Sequence, residues 1–215
     1  MIAVIDYDAG NLTSVARAVS HLGFSCVVTR DREAIQRAER VIFPGVGAAG
    51  AAMASLRRLG LDRSLEAAFE AGTPILGICL GTQVILGHSE ENDTPCMGII
   101  PGEVRAFPGD LRTEKGQPLK IPHMGWNRVH LKKPHPLLAD IQETYEFYFV
   151  HGYYPAPADP KWVVGETDYG ILFVSAMGKK NLFATQFHPE KSGRPGLSIL
   201  RRFCVWDGTW EGGTC

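Results

Sequence analysis

No Cys-x-x-Cys pair occurs in this 215-residue sequence, and its cysteines, Cys26, Cys79, Cys96, Cys204 and Cys215, are odd in number. Neither a disulfide framework nor a zinc site of ordinary spacing is signalled, and free thiols point to a reducing compartment. No stretch approaches the roughly 18 apolar residues that a membrane span needs. Met1-Ile2-Ala3-Val4-Ile5-Asp6 begins an apolar strand with no basic flank and no long hydrophobic segment of a secretion signal, so a cytoplasmic location is expected. Acidic and basic side chains nearly cancel, 23 against 22, and no basic cluster is interleaved with aromatics, which argues against nucleic acid as a partner. Repeats, low-complexity segments, a Gly-x-Gly-x-x-Gly fingerprint and a Walker loop are all missing. No metal and no cofactor is expected.

What the sequence does contain is an alternation. Ile2 to Ile5 is a continuously apolar strand of the kind a parallel sheet covers on both faces. After the loop Asp6-Tyr7-Asp8-Ala9-Gly10-Asn11, the residues Leu12, Val15, Ala16, Val19 and Leu22 recur at helical spacing up to Gly23. Phe24 to Val28 reads as a second strand, Arg30 to Ala38 as a short polar helix, and Val41 to Phe43 as a third strand running into Pro44-Gly45-Val46-Gly47. Ala51 to Leu59 and Leu65 to Ala71 are helical, with Gly60 and Gly72 as stops, and Pro74 to Ile78 is a fourth strand. This order is the signature of a doubly wound α/β sheet.

Past Gly87 the texture changes. Prolines, glycines and aromatics are dense from Pro95 to Gly178, and strands are expected over Met97 to Ile100, Glu103 to Phe107, Trp126 to Leu131, Glu146 to Val150, Trp162 to Thr167 and Ile171 to Ala176. A hairpin across Met177 to Asn181 leads to a last strand, Asn181 to Phe187, and Leu197 to Val205 makes a closing helix. The expected fold class is therefore α/β: a doubly wound, mostly parallel open sheet with an antiparallel elaboration. Residues 1–206 form a single domain in this reading, and the Gly- and Thr-containing tail 207–215 is expected to be disordered.

The chemistry centres on Gly77-Ile78-Cys79-Leu80-Gly81-Thr82-Gln83. Cys79 stands between an apolar strand and a helix and is flanked by glycines, the pattern of a nucleophile elbow with sulfur as the nucleophile. A thiol at a helix start meets unpaired N–H groups and the positive end of the helix dipole, which favour the thiolate. The same cysteine also reads as a small buried hydrophobe. A cysteine nucleophile needs a base, and the base needs a group that fixes its tautomer. His188 and Glu190 are two apart in a segment that Pro189 keeps extended, so both project to one side about 6.6 Å apart at strand rise. If their strands are parallel, Cys79 and His188 reach the same sheet edge, where open α/β sheets bind ligands. A surface pair is the alternative for His188 and Glu190. Backbone N–H groups of Gly45 or Val46, together with that of Leu80, would make a two-donor oxyanion hole. Gln83, one helical turn past Cys79, shares its face and either holds a polar substrate or caps solvent.

The run Gly77 to Gln83, taken with Gln186-Phe187-His188-Pro189-Glu190, resembles the class I glutamine amidotransferases, whose triad is Cys, His and Glu in that order. Asp6-Tyr7 with Gly10-Asn11-Leu12, Pro44-Gly45-Val46-Gly47, Pro122-His123-Met124-Gly125-Trp126-Asn127, Tyr148 to Tyr154 and His188 to Ser192 narrow the resemblance to the glutaminase subunits of imidazole glycerol phosphate synthases. Thr82 stands where Met is common in that family, and Gly152 where Ser or Thr is common. The resemblance implies that Cys79 attacks the side-chain amide of L-glutamine to form a thioester. His188 serves as acid and base in that reading, Glu190 orients it, Gln83, Gly152 and Tyr153 hold the glutamine, and Gly45 or Val46 with Leu80 holds the oxyanion. It further implies a heterodimer with a (β/α)8-barrel cyclase subunit, with Asn11, Trp126, Tyr148 and Lys191 at or near the interface. Ammonia then passes to the cyclase, which makes imidazole glycerol phosphate and aminoimidazole carboxamide ribotide in histidine biosynthesis. Two other readings stay open: a free-standing γ-glutamyl hydrolase with the same triad, and a flavodoxin-like binding module with a structural Cys79.

Overall fold

The computed structural model describes residues 1–212. Its main sheet has eight strands in the order β2-β1-β3-β4-β14-β13-β12-β9. The first five of these run parallel: β1 (Ile2–Ile5), β2 (Cys26–Thr29), β3 (Arg40–Gly45), β4 (Ile75–Cys79) and β14 (Leu182–Thr185). Three antiparallel strands extend it, β13 (Leu172–Lys179), β12 (Val163–Asp168) and β9 (His130–Leu131). The helices are α1 (Leu12–His21), α2 (Arg32–Gln36), α3 (Ala49–Leu59), α4 (Leu61–Glu70), α5 (Leu80–Val84) and α6 (Gly193–Val205).

Strand residues alternate between two cores because successive side chains leave a strand on opposite faces. Ile2 and Val4 of β1, Ile42 of β3 and Leu76 and Ile78 of β4 pack with Val15 and Val19 of α1 and Ile199, Leu200 and Phe203 of α6. Ala3 and Ile5, Val41 and Phe43, and Ile75 pack on the other face with Met53 and Leu56 of α3 and Leu61 and Leu65 of α4. A sheet covered on both sides explains why its parallel strands carry no polar alternation. The expected doubly wound, mostly parallel architecture is what the chain adopts.

The elaboration adds two small sheets. One pairs β8 (His123–Arg128) with β10 (Glu146–His151), and the other has the order β11-β7-β5-β6, from β5 (His88–Ser89), β6 (Thr94–Pro95), β7 (Gly102–Ala106) and β11 (Tyr153–Pro157). Two expectations need correction here. Met97 to Ile100 is not a strand. The N–H groups of Met97, Gly98 and Ile100 donate to the carbonyls of Val84, Leu86 and Ile85, so this segment satisfies the C-terminal end of α5 instead of joining a ladder. Trp126 to Leu131 is not one strand, since β8 and β9 belong to different sheets. At the start of the tail, Trp206 Nε1 donates to the Thr209 carbonyl, and Trp210 donates to the Pro134 carbonyl and lies 5.0 Å from the His135 ring. Residues 213–215 of the expected tail lie outside the described residues. No helix among the described residues is long and apolar enough to cross a membrane.

Candidate active site

Cys79 ends β4 and begins α5 with φ 54° and ψ −106°, a left-handed conformation that a side chain rarely adopts. Space decides what can follow it. A Cβ on Gly81 would lie 1.9 Å from the Phe43 carbonyl oxygen, so α5 can start against β3 only with glycine there; Gly77 is less constrained, with Ala184 Cβ 3.1 Å from its own imagined Cβ. Thr82, the departure from the family pattern, uses its hydroxyl to tie α5 to β14 by donating to the Thr185 carbonyl at 2.6 Å. Cys79 is 6% exposed and lines a cavity of about 330 Å³ with Val46, Gly47, Leu80, Gln83, Glu91, Gly152 and Tyr153. That volume lies within the range of small-molecule sites.

The neighbouring strand brings the candidate base. β14 pairs with β4 in the register Thr185↔Ile78, and the chain just past it carries Gln186 and His188 to the edge where Cys79 sits. His188 is clamped through its backbone: its N–H donates to the Tyr148 carbonyl at 2.9 Å, and its carbonyl accepts from the Ser192 hydroxyl at 2.6 Å. Its Nδ1 lies 2.8 Å from Glu190 Oε1, with both side chains fully buried. Nε2 is buried without an aligned hydrogen-bond partner, as is Glu190 Oε2. Burial pushes the His188 imidazole toward the neutral form, but the neighbouring Cys79 sulfur and the Glu190 carboxylate bonded at Nδ1 outweigh it and raise the pKa to about 9. Thiol and imidazole stand at the same edge of the sheet, and Nε2 is not hydrogen bonded to the sulfur.

Asn11, expected at a partner interface, donates from its side chain to Glu190 Oε1 at 2.5 Å, the same oxygen that His188 Nδ1 contacts, so it braces the carboxylate. The other three interface residues form one patch. Trp126 and Tyr148 face each other across the β8–β10 pair with ring centroids 6.0 Å apart, and Lys191 Nζ lies 5.9 Å from the Tyr148 ring. Trp126 is 55% exposed and Met124 on the same strand 62%.

Of the oxyanion candidates, Gly45 pairs with Cys79 across β3 and β4, but its open side is filled by Tyr7, whose hydroxyl lies 1.7 Å from where a Cβ would be. Val46 and Leu80 line the cavity itself. Gln83 turns out to be a wall rather than a free hand: its Nε2 donates to the Tyr153 carbonyl at 2.9 Å and to Gln186 Oε1 at 3.0 Å.

Four residues at the site carried no role in the sequence reading. Gln186 Nε2 reaches Cys79 Sγ at 3.7 Å; its place two before His188 in an extended segment was the available signal. Glu91 lines the cavity, and its Oε2 accepts from the Ala49 N–H at the start of α3 at 2.7 Å. His151 lines it too; its place beside Gly152 and Tyr153 was the available signal. Tyr7 backs the Gly45 segment with a buried hydroxyl that has no partner. Among the described residues, no cluster of three or more His, Cys, Asp or Glu is arranged to hold a metal ion.

A sequence model of the family described as Glutamine amidotransferase class-I matches residues 3–206. The chain is 54% identical over 203 residues to the imidazole glycerol phosphate synthase subunit HisH of Nitratidesulfovibrio vulgaris (strain DP4), which covers 94% of this chain and 95% of that protein. It is 51% identical over 211 residues to the subunit of the same name from Pseudomonas putida, with 97% and 99% covered. Among solved structures, PurLQS from Thermotoga maritima shares the fold with a TM-score of 0.71 at 19% identity, covering 94% of this chain and 96% of that one. A glutamine amidotransferase crystal structure gives a TM-score of 0.71 at 16% identity, with 95% and 100% covered. A cysteine held in a strained elbow, a buried imidazole with its carboxylate, and full-length likeness at more than half identity lead to one assignment: the chain belongs to the class I glutamine amidotransferase family and, within it, to the imidazole glycerol phosphate synthase subunits HisH.

Proposed function

We propose that this chain is the glutaminase subunit that hydrolyses L-glutamine to glutamate and ammonia and passes the ammonia to a (β/α)8-barrel cyclase in histidine biosynthesis. The observation that carries this reading is the meeting of Cys79, His188 and Glu190 at the carboxyl edge of the parallel strands, beside a cavity of about 330 Å³. Residues 1–206 act as one glutaminase domain, in the cytoplasm, with no cofactor.

Sulfur of Cys79 attacks the side-chain amide carbon of glutamine, and the charge that develops on the amide oxygen is met by the N–H of Leu80 and that of Val46 or Gly45. With a pKa of about 9, the His188 imidazole carries a proton at neutral pH, so the proton that departing ammonia needs is in place before attack. Ammonia leaves and a glutamyl thioester remains. Now neutral, His188 takes a proton from the incoming water, the hydroxide equivalent adds to the thioester carbon, and glutamate departs from the sulfur, which restores the starting pair. Glu190 holds Nδ1 throughout, and Asn11 braces Glu190. Gln83 and the backbone at Gly152 and Tyr153 form the wall that receives the glutamine, while Glu91 offers a carboxylate to its ammonium group.

Ammonia released into water is protonated and diluted, so the reaction needs an acceptor docked close by. The patch of Trp126, Tyr148 and Lys191, with Asn11 behind it, supports docking beside the triad. The test is glutamine turnover by the chain alone and with purified cyclase and its phosphoribulosyl imidazole-carboxamide ligand. Turnover is expected to be slow alone and to rise at least about tenfold in the complex. Equal rates in both conditions would instead favour a free-standing γ-glutamyl hydrolase.

A further inference from the structure

A hydrogen-bonded chain of side chains runs from the β8–β10 ribbon to the catalytic sulfur. Asn127 Nδ2 lies 3.4 Å from His123 Nε2, His123 Nδ1 lies 3.0 Å from His151 Nε2, and His151 Nδ1 lies 2.8 Å from the Tyr153 carbonyl. That carbonyl also accepts from Gln83, which holds Gln186, which touches Cys79 Sγ. Both ends of the histidine segment have only one possible polarity. A carbonyl oxygen can only accept, so His151 Nδ1 carries hydrogen and its Nε2 accepts from His123 Nδ1–H. At the other end, Asn127 Oδ1 accepts from the Arg128 N–H and its Nδ2 donates to the Asp168 carbonyl, which leaves the second Nδ2 hydrogen for His123 Nε2. Every ring nitrogen of the pair has a partner, and each imidazole is neutral with hydrogen on Nδ1.

We propose that His123 and His151 are positioning residues for glutamine: their fixed tautomers hold the Tyr153 carbonyl, and through it Gln83 and the wall at Gly152 and Tyr153, in the geometry that receives the substrate. The inference rests on the glutaminase reading above and deepens it. Burial supports it by holding His151 down to about 3 and His123 down to about 4, so neither ring is an acid or a base for the reaction at neutral pH. The role is therefore in binding and falls on KM. His123 does not line the cavity, and its ring stacks on Phe149 and Tyr169, at centroid distances of 4.8 and 4.0 Å. Its side chain reaches the cavity through His151, to which its Nδ1 is bonded.

That separation gives a test in which packing and positioning predict opposite orders. His123→Phe keeps an aromatic ring for the stack and removes both nitrogens, while His123→Asn loses the ring but places an amide donor where Nδ1 was. Measured in the complex with the cyclase, His123→Phe is expected to raise KM for glutamine about tenfold with kcat within about twofold of the parent. His123→Asn is expected to melt lower than His123→Phe and yet to recover most of the KM. Should His123→Phe fail to fold, Asn127→Asp replaces the donor at the outer end with an acceptor of the same shape and is expected to raise KM about fivefold. Nitrogen-15 spectra of the histidines are expected to report neutral Nδ1–H rings for both residues at pH 7. KM following melting temperature, with His123→Phe near the parent and His123→Asn worst, would overturn the inference, as would either ring appearing protonated or as the Nε2–H tautomer. Failure of the glutaminase reading looks different: the parent complex would not turn over glutamine and His188→Asn would change nothing.

Discussion

His188 and His151 are both buried, both bonded at Nδ1 to an oxygen, and close enough to feel each other's charge, yet they stand on opposite sides of neutral pH. Burial alone pushes any imidazole toward the neutral form, and at His151, whose oxygen partner is an uncharged carbonyl, burial prevails. At His188 the oxygen belongs to a carboxylate, a thiol sits on the other side, and together they reverse the balance to about 9. The surroundings differ in the same sense. Among the described residues the His123–His151 pair is fully hydrogen bonded, whereas His188 Nε2, Glu190 Oε2 and the neighbouring Tyr7 hydroxyl are buried without partners beside a cysteine in a strained conformation. A hydrogen bond left unmade in a buried site costs stability, so such groups persist where a reaction uses them. One network is fully paired and the other is not.

The comparison is broken most severely by removing the charge that separates the two rings. Glu190→Gln keeps the size of the side chain but not its charge, so His188 is expected to titrate below its present value of about 9, toward the range of its neighbours. Glutamine turnover in the complex is expected to fall by roughly 10²- to 10⁴-fold, as when a triad loses its orienting carboxylate. Steady-state kinetics and the histidine NMR titration of one preparation check both.

Stability against pH sharpens the same contrast, because the two sites have opposite sign. His188 binds its proton more tightly when folded, so its contribution is complete below about pH 6.5 and is lost as pH rises through about 9. His123 and His151 bind a proton more tightly when unfolded, so they leave stability untouched above about pH 6.5 and erode it as pH falls toward 4 and 3. Stability measured by denaturant melts is expected to peak near pH 6.5, with slopes of at most about 1.4 kcal/mol per pH unit for each histidine. Glu190→Gln should flatten the alkaline limb and leave the acid limb in place.

The smallest effect is expected at Tyr7. Its hydroxyl is buried with no partner, and burial together with the charge of Cys79 pushes its pKa well above the usual phenol range, so it stays an uncharged donor. Tyr7→Phe keeps the ring against Phe43, 5.3 Å away, and removes only the unsatisfied oxygen. A gain of about 1 kcal/mol is expected, read as a rise of roughly 2–4 °C in Tm. A loss of stability would show that the hydroxyl is already paired and that the unfinished side of the comparison is smaller than drawn.

Local pattern made the elbow at Cys79 legible, because glycine spacing and an abrupt change from strand to helix are properties of a few adjacent residues. The order of strands and helices was readable for the same reason, and so was the nearness of His188 to Glu190, two positions apart in an extended segment. The antiparallel elaboration was read less well. Met97 to Ile100 has the composition of a strand, but its N–H groups were claimed by the end of α5; β11 carries two prolines and hides its pairing with β7. The contacts of Trp206 and Trp210 with the His135 ring were not legible either, since they join positions about 70 residues apart.

Sequence alone determined the two-sided sheet, the strained turn at the sulfur and the pairing of imidazole with carboxylate, since each depends on residues near one another along the chain. Tertiary structure decided that Gln83 faces Gln186 and Tyr153, that Asn11 donates to Glu190, that Tyr7 fills the space of the side chain glycine lacks at position 45, and that two bonded histidines stand behind the Tyr153 carbonyl. Those contacts join residues separated by tens to more than a hundred positions: parallel pairing of β1, β3, β4 and β14 brings distant strand ends to one edge, and the antiparallel β8–β10 pair sets His123 opposite His151. Sheet order and register carry that information, and no short-range pattern encodes them.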